Sequence, residues 1–272
     1  MIYTLGSIRL LNTFLLRYES KITVLLNNKL TIIVCSKADP SGLNRTLLSL
    51  RKLHHDIPEI ILVLSGYSNT ELNSFETYFS DLNVIVISTP ALGIYEAQNI
   101  GLHKAHNEFA LFLNGGDELA STVGITNLVR EVGENKWGYG TVKLIKPSTN
   151  YFKHYYFKYR RILHRLGLKY VPHPGTIINV QQGIKLGAFD TKYRISADHK
   201  LLLAFAKISK PVVIKDLISH FYLEGASMRS QKDIVADCKK ISREEFGFFA
   251  RNKFIDELIW KIVLSIRDLI RS

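Results

Sequence analysis

A chain of 272 residues, 46% of them hydrophobic, can bury one sizeable core with a small appendage at most. No apolar run approaches the ~20 residues that span a bilayer, and Cys35 and Cys238 make no metal-binding pattern. The formal charge of +12 points to an anionic partner. The apolar stretch Ile8 to Leu16 is broken and flanked by Arg9, Asn12 and Arg17, and no small-residue cleavage site follows. A signal peptide is therefore not expected, and the chain reads as cytosolic or held on the cytosolic face of a membrane.

Strand and helix patterns alternate from Leu30 onward. Leu30 to Cys35 is a buried-type strand, and Ser41 opens a helix with Leu43, Leu47, Leu48, Leu50 and Leu53. Glu59 to Leu64 and Thr70 to Phe79 form the next strand and helix, then Asn83 to Ile87 and Ile94 to Ala105, then Phe109 to Leu113 and Val123 to Val132. Such alternation with short joints predicts a mainly parallel sheet flanked by helices, with ligands at the carboxyl ends of the strands. Later elements are less regular: strands at Gly138 to Ile145, Thr176 to Val180 and Pro211 to Ile214, and helices at Gln181 to Leu186, Ala197 to Ile208 and Ile234 to Glu245. A last amphipathic helix is expected over Phe254 to Ile270. This divides the chain into an N-terminal extension (1–28), an α/β domain (29–225) and C-terminal helices (226–272).

The segment Phe112-Leu113-Asn114-Gly115-Gly116-Asp117 ends a strand in small residues and one carboxylate. Gly115 and Gly116 let a phosphate approach the backbone, and Asp117 can hold a divalent ion that bridges a diphosphate. A plain Gly-Gly-Asp turn is the other reading. From Asn135 to Phe189 there is no Asp or Glu, while ten Lys or Arg residues between Lys136 and Lys185 interleave with seven Tyr or Phe residues between Tyr151 and Tyr170. That suits a phospholipid, a lipid-linked diphosphate or a nucleic acid. The alternative is a solvated face whose rings belong to the core.

Several motifs in order resemble the inverting family 2 glycosyltransferases of the GT-A fold, in particular the bacterial exopolysaccharide and O-antigen subgroup that includes the colanic acid enzymes. They are the opening Leu30 to Leu50, Gly93-Ile94-Tyr95-Glu96-Ala97-Gln98-Asn99-Ile100-Gly101, Phe112 to Asp117, Pro172-His173-Pro174, Gly187-Ala188-Phe189-Asp190, Tyr193 to Asp198 and Gly225-Ala226-Ser227. The likeness runs from about Leu30 to about Phe246.

The resemblance implies a sugar transferred from a nucleotide-diphosphate sugar to a polyprenyl-diphosphate-linked or oligosaccharide acceptor, with Mn²⁺ or Mg²⁺ on Asp117 and Asp198 as general base. An N-cap role for Asp198 is the competing local reading. Donor contacts are expected from Ser36, Ser65, Asn114, Gly115 and Gly116. Glu96 and Asn99, three apart on one helix, line the donor pocket or merely solvate the helix; His173 contacts the donor or packs in the core. Lys158, Arg160, Arg161 and Arg165 are expected to lead adsorption to an anionic membrane surface, which implies a cytoplasmic protein peripheral to the inner leaflet. Ser65, Ala91 and Gly116 stand where the family commonly has acidic residues. Those losses motivate a rival, a degenerate transferase kept as a scaffold of a polysaccharide assembly complex. A nucleic-acid-binding role rests on charge alone and is set aside for lack of a reading module.

Overall fold

The computed structural model describes residues 29–52, 59–81, 84–223, 231–246, 257–258, 260–263 and 265. The expected N-terminal extension, the Gly225-Ala226-Ser227 element and most of the terminal helix lie outside them. In chain order come β1 (Leu30–Lys37), α1 (Pro40–Arg51), β2 (Glu59–Ser65), α2 (Asn69–Tyr78), β3 (Val84–Thr89), α3 (Ile94–Lys104) and β4 (Phe109–Asn114). Then follow β5 (Glu118–Leu119), α4 (Thr122–Val132), β6 (Trp137–Lys146), β7 (Tyr151–Tyr155), α5 (Arg161–Arg165) and β8 (Thr176–Asn179). The described elements end with α6 (Val180–Lys185), α7 (Ala197–Ile208), β9 (Val212–Tyr222) and α8 (Gln231–Phe246).

All nine strands among the described residues join one sheet, in the order β3-β2-β1-β4-β8-β6-β9-β5, with β7 paired to β6. β3, β2, β1 and β4 are mutually parallel; β8 enters antiparallel to β4 and β6, while β6 and β9 run parallel. The parallel half therefore follows the strand–helix alternation, and the other half is mixed. β9 runs eight residues beyond the expected strand end at Ile214, through Tyr222. It becomes the scaffold for the short β5.

Period-two alternation sends successive residues of β1 and β4 into two different cores. Ile32, Val34, Leu111 and Leu113 pack with Leu43, Leu47 and Leu50 of α1 and with Ile125, Leu128 and Val129 of α4. Ile33, Cys35 and Phe112 pack with Tyr95 of α3 and with Leu201, Leu202 and Phe205 of α7. Burying each large side chain contributes about 1.5–3 kcal/mol, which fixes the register of the central strands. α1 begins one residue earlier than the sequence suggests: Asp39 caps it by accepting from the Gly42 N–H at 2.9 Å, and Pro40 takes the first turn, where no N–H is needed.

α8 belongs to the second core through Ile241, and Lys200 of α7 reaches Glu244 of α8 at 2.9 Å. Two described residues of the expected terminal helix, Trp260 and Val263, are buried against Leu163, Leu166 and Leu168.

Candidate active site

Strand register brings the carboxyl ends of β1, β2 and β4 to one edge, with Cys35 level with Asn114 and Lys37 level with Ser65. The loop after β4 is tied down there on three sides. Gly115 donates its N–H to the Cys35 carbonyl at 2.8 Å, and Gly116 donates to Thr46 Oγ1 of α1 at 2.9 Å. Gly116 has φ +108°, a conformation that glycine tolerates best. A Cβ on Gly115 would stand 2.4 Å from Ser36 Oγ, so the loop lies against the end of β1 as closely as a glycine permits. Ser36 is itself held by Tyr67, whose phenolic oxygen is 2.6 Å from Ser36 Oγ and accepts the Asp39 N–H at 3.0 Å.

Asp117 closes the loop. It is 3% exposed, and its two carboxylate oxygens accept the Asn114 and Tyr222 backbone N–H groups at 3.2 and 3.3 Å. Burial pushes its carboxyl up to about 7, against the pull of those hydrogen bonds and of the Arg45 charge. Arg45 lies over the Tyr222 ring, 4.4 Å from its centroid. Beside this, Glu118 of β5 and His220 of β9 face each other at 3.0 Å. Among the described residues no three His, Cys, Asp or Glu side chains gather as a metal site. The protein thus offers Asp117 as one incompletely compensated carboxylate. That fits a divalent ion held by a single carboxylate and by substrate phosphates, a common mode for Mg²⁺.

The second carboxylate is Asp198, in the first turn of α7. Ser196, not Asp198, occupies the cap position. Asp198 Oδ1 instead accepts from the Tyr95 hydroxyl at 2.9 Å, and the same hydroxyl lies 2.6 Å from the Ile195 carbonyl. Burial foremost, then the Asp198 charge, raises the Tyr95 phenol well above its ordinary range, so it remains a proton donor. Beneath it Tyr95 stacks on Phe189 at 5.6 Å, and His173 stacks on Phe112 at 5.3 Å. Burial lowers the His173 imidazole while the Asp198 charge pulls it back, and its Nε2 has no partner among the described residues. His173 is thus a packed ring that also feels Asp198.

One face of α3 runs from Asp198 to the end of β4. Tyr95 reaches Asp198, and Gln98, three residues on, points its amide nitrogen at Asn114 Oδ1 at a long 3.5 Å. Sequence reasoning chose Glu96 and Asn99, also three apart but on the neighbouring face. Glu96 is half-buried, with its carboxylate folded over Gly93. Asn99 is not at the strand ends. Its amide exchanges two hydrogen bonds with the Phe189 backbone, at 2.8 and 2.9 Å, beside a cavity of about 440 Å³ between α3, the loop 186–191 and α7. Its amide is committed to holding the Gly187–Asp190 turn.

Ser65 is buried, with its hydroxyl 2.8 Å from that of Thr89. Of the four basic residues assigned to a membrane surface, Lys158, Arg160 and Arg161 are exposed. Arg165 is a correction: it is partly buried and donates to the Glu245 carbonyl at 2.8 Å, anchoring α8.

Residues 31–185 match the family described as glycosyl transferase family 2, and the chain belongs to it. Two uncharacterized glycosyltransferases of Mycobacterium tuberculosis, from strains CDC 1551 and H37Rv, are each 23% identical over 223 residues, covering 78% of this chain and 82% of theirs. Solved structures share the GT-A fold. Staphylococcus aureus TarS superposes with a TM-score of 0.60 at 17% identity, over 78% of this chain and 39% of TarS. Its fragment 1–349 in complex with UDP gives 0.59 over 83% and 74%. The mannosyltransferase PcManGT of Pyrobaculum calidifontis, in complex with GDP-Man and Mn²⁺, gives 0.57 at 14% identity over 87% and 72%.

Proposed function

We propose that the protein is an inverting glycosyltransferase that moves a sugar from a nucleotide-diphosphate sugar to a polysaccharide or lipid-linked oligosaccharide acceptor. The observation that carries this is α3, whose single face reaches the glycine loop through Gln98 and Asp198 through Tyr95. Such an arrangement suits a reaction with a leaving diphosphate on one side of the sugar and an attacking hydroxyl on the other. In this reading the backbone around Gly115 and Gly116 accommodates the diphosphate, and Asn114 borders it. Asp117 would hold Mn²⁺ or Mg²⁺, whose charge would neutralise the departing diphosphate. Asp198 takes the proton from the acceptor hydroxyl, with the Tyr95 hydroxyl fixing its orientation. The complexes of TarS with UDP and of PcManGT with GDP-Man and Mn²⁺ support a nucleotide-sugar donor and a metal-assisted site.

Nucleotide titrations with UDP and GDP, each with and without Mn²⁺, test the donor half. Asp117→Ala should abolish the metal-dependent gain in affinity, and equal metal dependence in variant and parent would remove Asp117 from the site. Asp198→Asn should keep nucleotide affinity and lose transfer or donor hydrolysis by ~10²-fold or more. Near-parental turnover would reject Asp198 as base. The scaffold reading draws on Ser65, Ala91 and Gly116 standing in place of acids. It predicts nucleotide binding without turnover of any sugar donor in the parent protein itself.

A further inference from the structure

The β6–β7 hairpin is not used by the transfer chemistry. β7 pairs only with β6 among the described residues, so it stands at a margin of the sheet. Its five residues are exposed except Tyr155, and Phe152 is 61% exposed. The turn between the strands is a 3-10 turn at Pro147–Thr149, closed by Asn150 in the left-handed conformation. Register sorts the side chains. Lys143 lies opposite His154 and Ile145 opposite Phe152, all on one face; Leu144 lies opposite Lys153 and Lys146 opposite Tyr151, on the other. Each face therefore carries basic residues and one exposed ring next to the turn. The Lys143 ammonium sits 4.7 Å above the Phe152 ring. Across four strands a single row runs Glu118–His220–Lys143–His154, and its one carboxylate is already engaged by His220.

We propose that this hairpin is a membrane-docking finger whose partner is an anionic lipid surface, as the cytoplasmic leaflet presents. Lys143, Lys146 and Lys153 would meet the headgroups while Phe152 and Tyr151 enter the interfacial layer. The placement of the rings selects a bilayer over a nucleic acid. A single-stranded nucleic acid needs successive rings on one face to stack successive bases. Tyr151 and Phe152 point to opposite faces, and His154, which shares the Phe152 face, stands edge-on to it at 83°, so these rings form no one platform, but Tyr151 and Phe152 both enter a bilayer when the turn is dipped edgewise. Lys158, Arg160 and Arg161, exposed just downstream, extend the acid-free surface. The inference does not depend on the transferase reading.

Co-sedimentation with vesicles of phosphatidylcholine alone, or mixed with phosphatidylglycerol, tests it on the full chain. Binding should require phosphatidylglycerol and weaken with salt. Each lysine contributes about fivefold, so Lys143→Gln, Lys146→Gln and Lys153→Gln together should lower the partition coefficient about 100-fold. Phe152→Ser should lower it about tenfold. In Phe152→Trp the added indole emission should shift to the blue on binding. UDP and GDP titrations should be unchanged in every variant, because none touches the glycine loop, and this separates failure here from failure of the transferase reading. Equal binding to both vesicle types, an unaffected triple variant, a Phe152→Trp emission that does not move, or tighter binding to a single-stranded oligonucleotide would each overturn the proposal.

Discussion

Replacing Gly115 by alanine tests the architecture of the glycine loop directly. The new methyl carbon would lie 2.4 Å from Ser36 Oγ and 2.8 Å from Ser36 Cβ. Both distances are shorter than real carbon contacts allow, so either the loop or β1 must move. Ser36 cannot rotate its hydroxyl away without giving up the 2.6 Å hydrogen bond to Tyr67. Forcing a methyl into such a site costs about 1–3 kcal/mol, and losing that bond adds about 1 kcal/mol. Gly115→Ala should therefore lower unfolding free energy by about 2–4 kcal/mol, read from urea denaturation followed by circular dichroism. Because Gly115 is two residues from Asp117, UDP and GDP affinity should fall as well. Ser36→Gly removes both clashing atoms. The double variant should therefore recover stability relative to the sum of the two single losses, with a coupling of about 1–3 kcal/mol. A Gly115→Ala protein within about 0.5 kcal/mol of the parent, the range of an inconsequential surface change, would refute the reasoning, and so would strict additivity with Ser36→Gly.

Tyr95→Phe keeps the stack on Phe189 but deletes the donor to Asp198 and Ile195. A hydrogen bond to a charged group contributes about 1.5–3 kcal/mol, so stability should drop by that order and transfer by about tenfold or more with nucleotide affinity intact; a stability loss without a rate loss would make Tyr95 purely structural. Acid should destabilise the fold through the histidines between α5 and α7, where His164 and His199 meet edge to face at 4.5 Å. Burial brings His199 down to about 4, opposed by the Asp198 charge, and with the neighbouring His199 it holds His164 well below its usual range. At these two imidazoles the folded state thus binds fewer protons than the unfolded one below pH 6.5, so their contribution is complete above that value and declines toward pH 4, by about 3 kcal/mol from His199 alone. Asp117 acts in the opposite sense over the same range, because its raised carboxyl takes up a proton in the folded state from about pH 7 downward. In an Asp117→Asn background urea midpoints measured between those limits should fall, and adding His199→Leu should flatten the decline; a flat profile in that background would contradict it.

Much of the fold could be read from local patterns where strands and helices alternate: β1 with β2 and β2 with β3 pair across fewer than about 30 residues, and β4, which returns to β1 about 80 residues back, announces itself by a continuous apolar run. The mixed half was harder to read. β5 has two residues and no pattern of its own; it exists because Glu118 and Leu119 pair with His220 and Ser219, about 100 residues away. β7 carries Tyr, Phe, Lys, His and Tyr, nearly all exposed, so no alternation of apolar and polar residues announces it. In the site, the glycine loop and Asp198 stood out as carboxylates and glycines at strand and helix ends. Spacing also says that residues three apart share a helix face, but it does not say which face turns inward. On α3 the inward pair is Tyr95 and Gln98, one position before the chosen Glu96 and Asn99. Arg165 was misread for a similar reason: its charge is visible in the sequence, while its engagement with the end of α8 depends on a packing some 80 residues distant.

The alternation along β4 also sets where the chain can change length. Leu111 and Leu113 face one core and Phe112 the other, so Asn114 falls by parity on the side where Gln98 stands. Deleting one residue from β4 would exchange the two layers, turning Phe112 toward α1 and setting Asn114 on the wrong side of its own sheet. Natural or engineered variation in length has no such parity to respect at the turn Pro147–Thr149, which lies beyond the last paired residues of β6 and β7. The stretch nearest the chemistry is therefore constrained in its count of residues as well as in their identity, while the hairpin turn is free to grow.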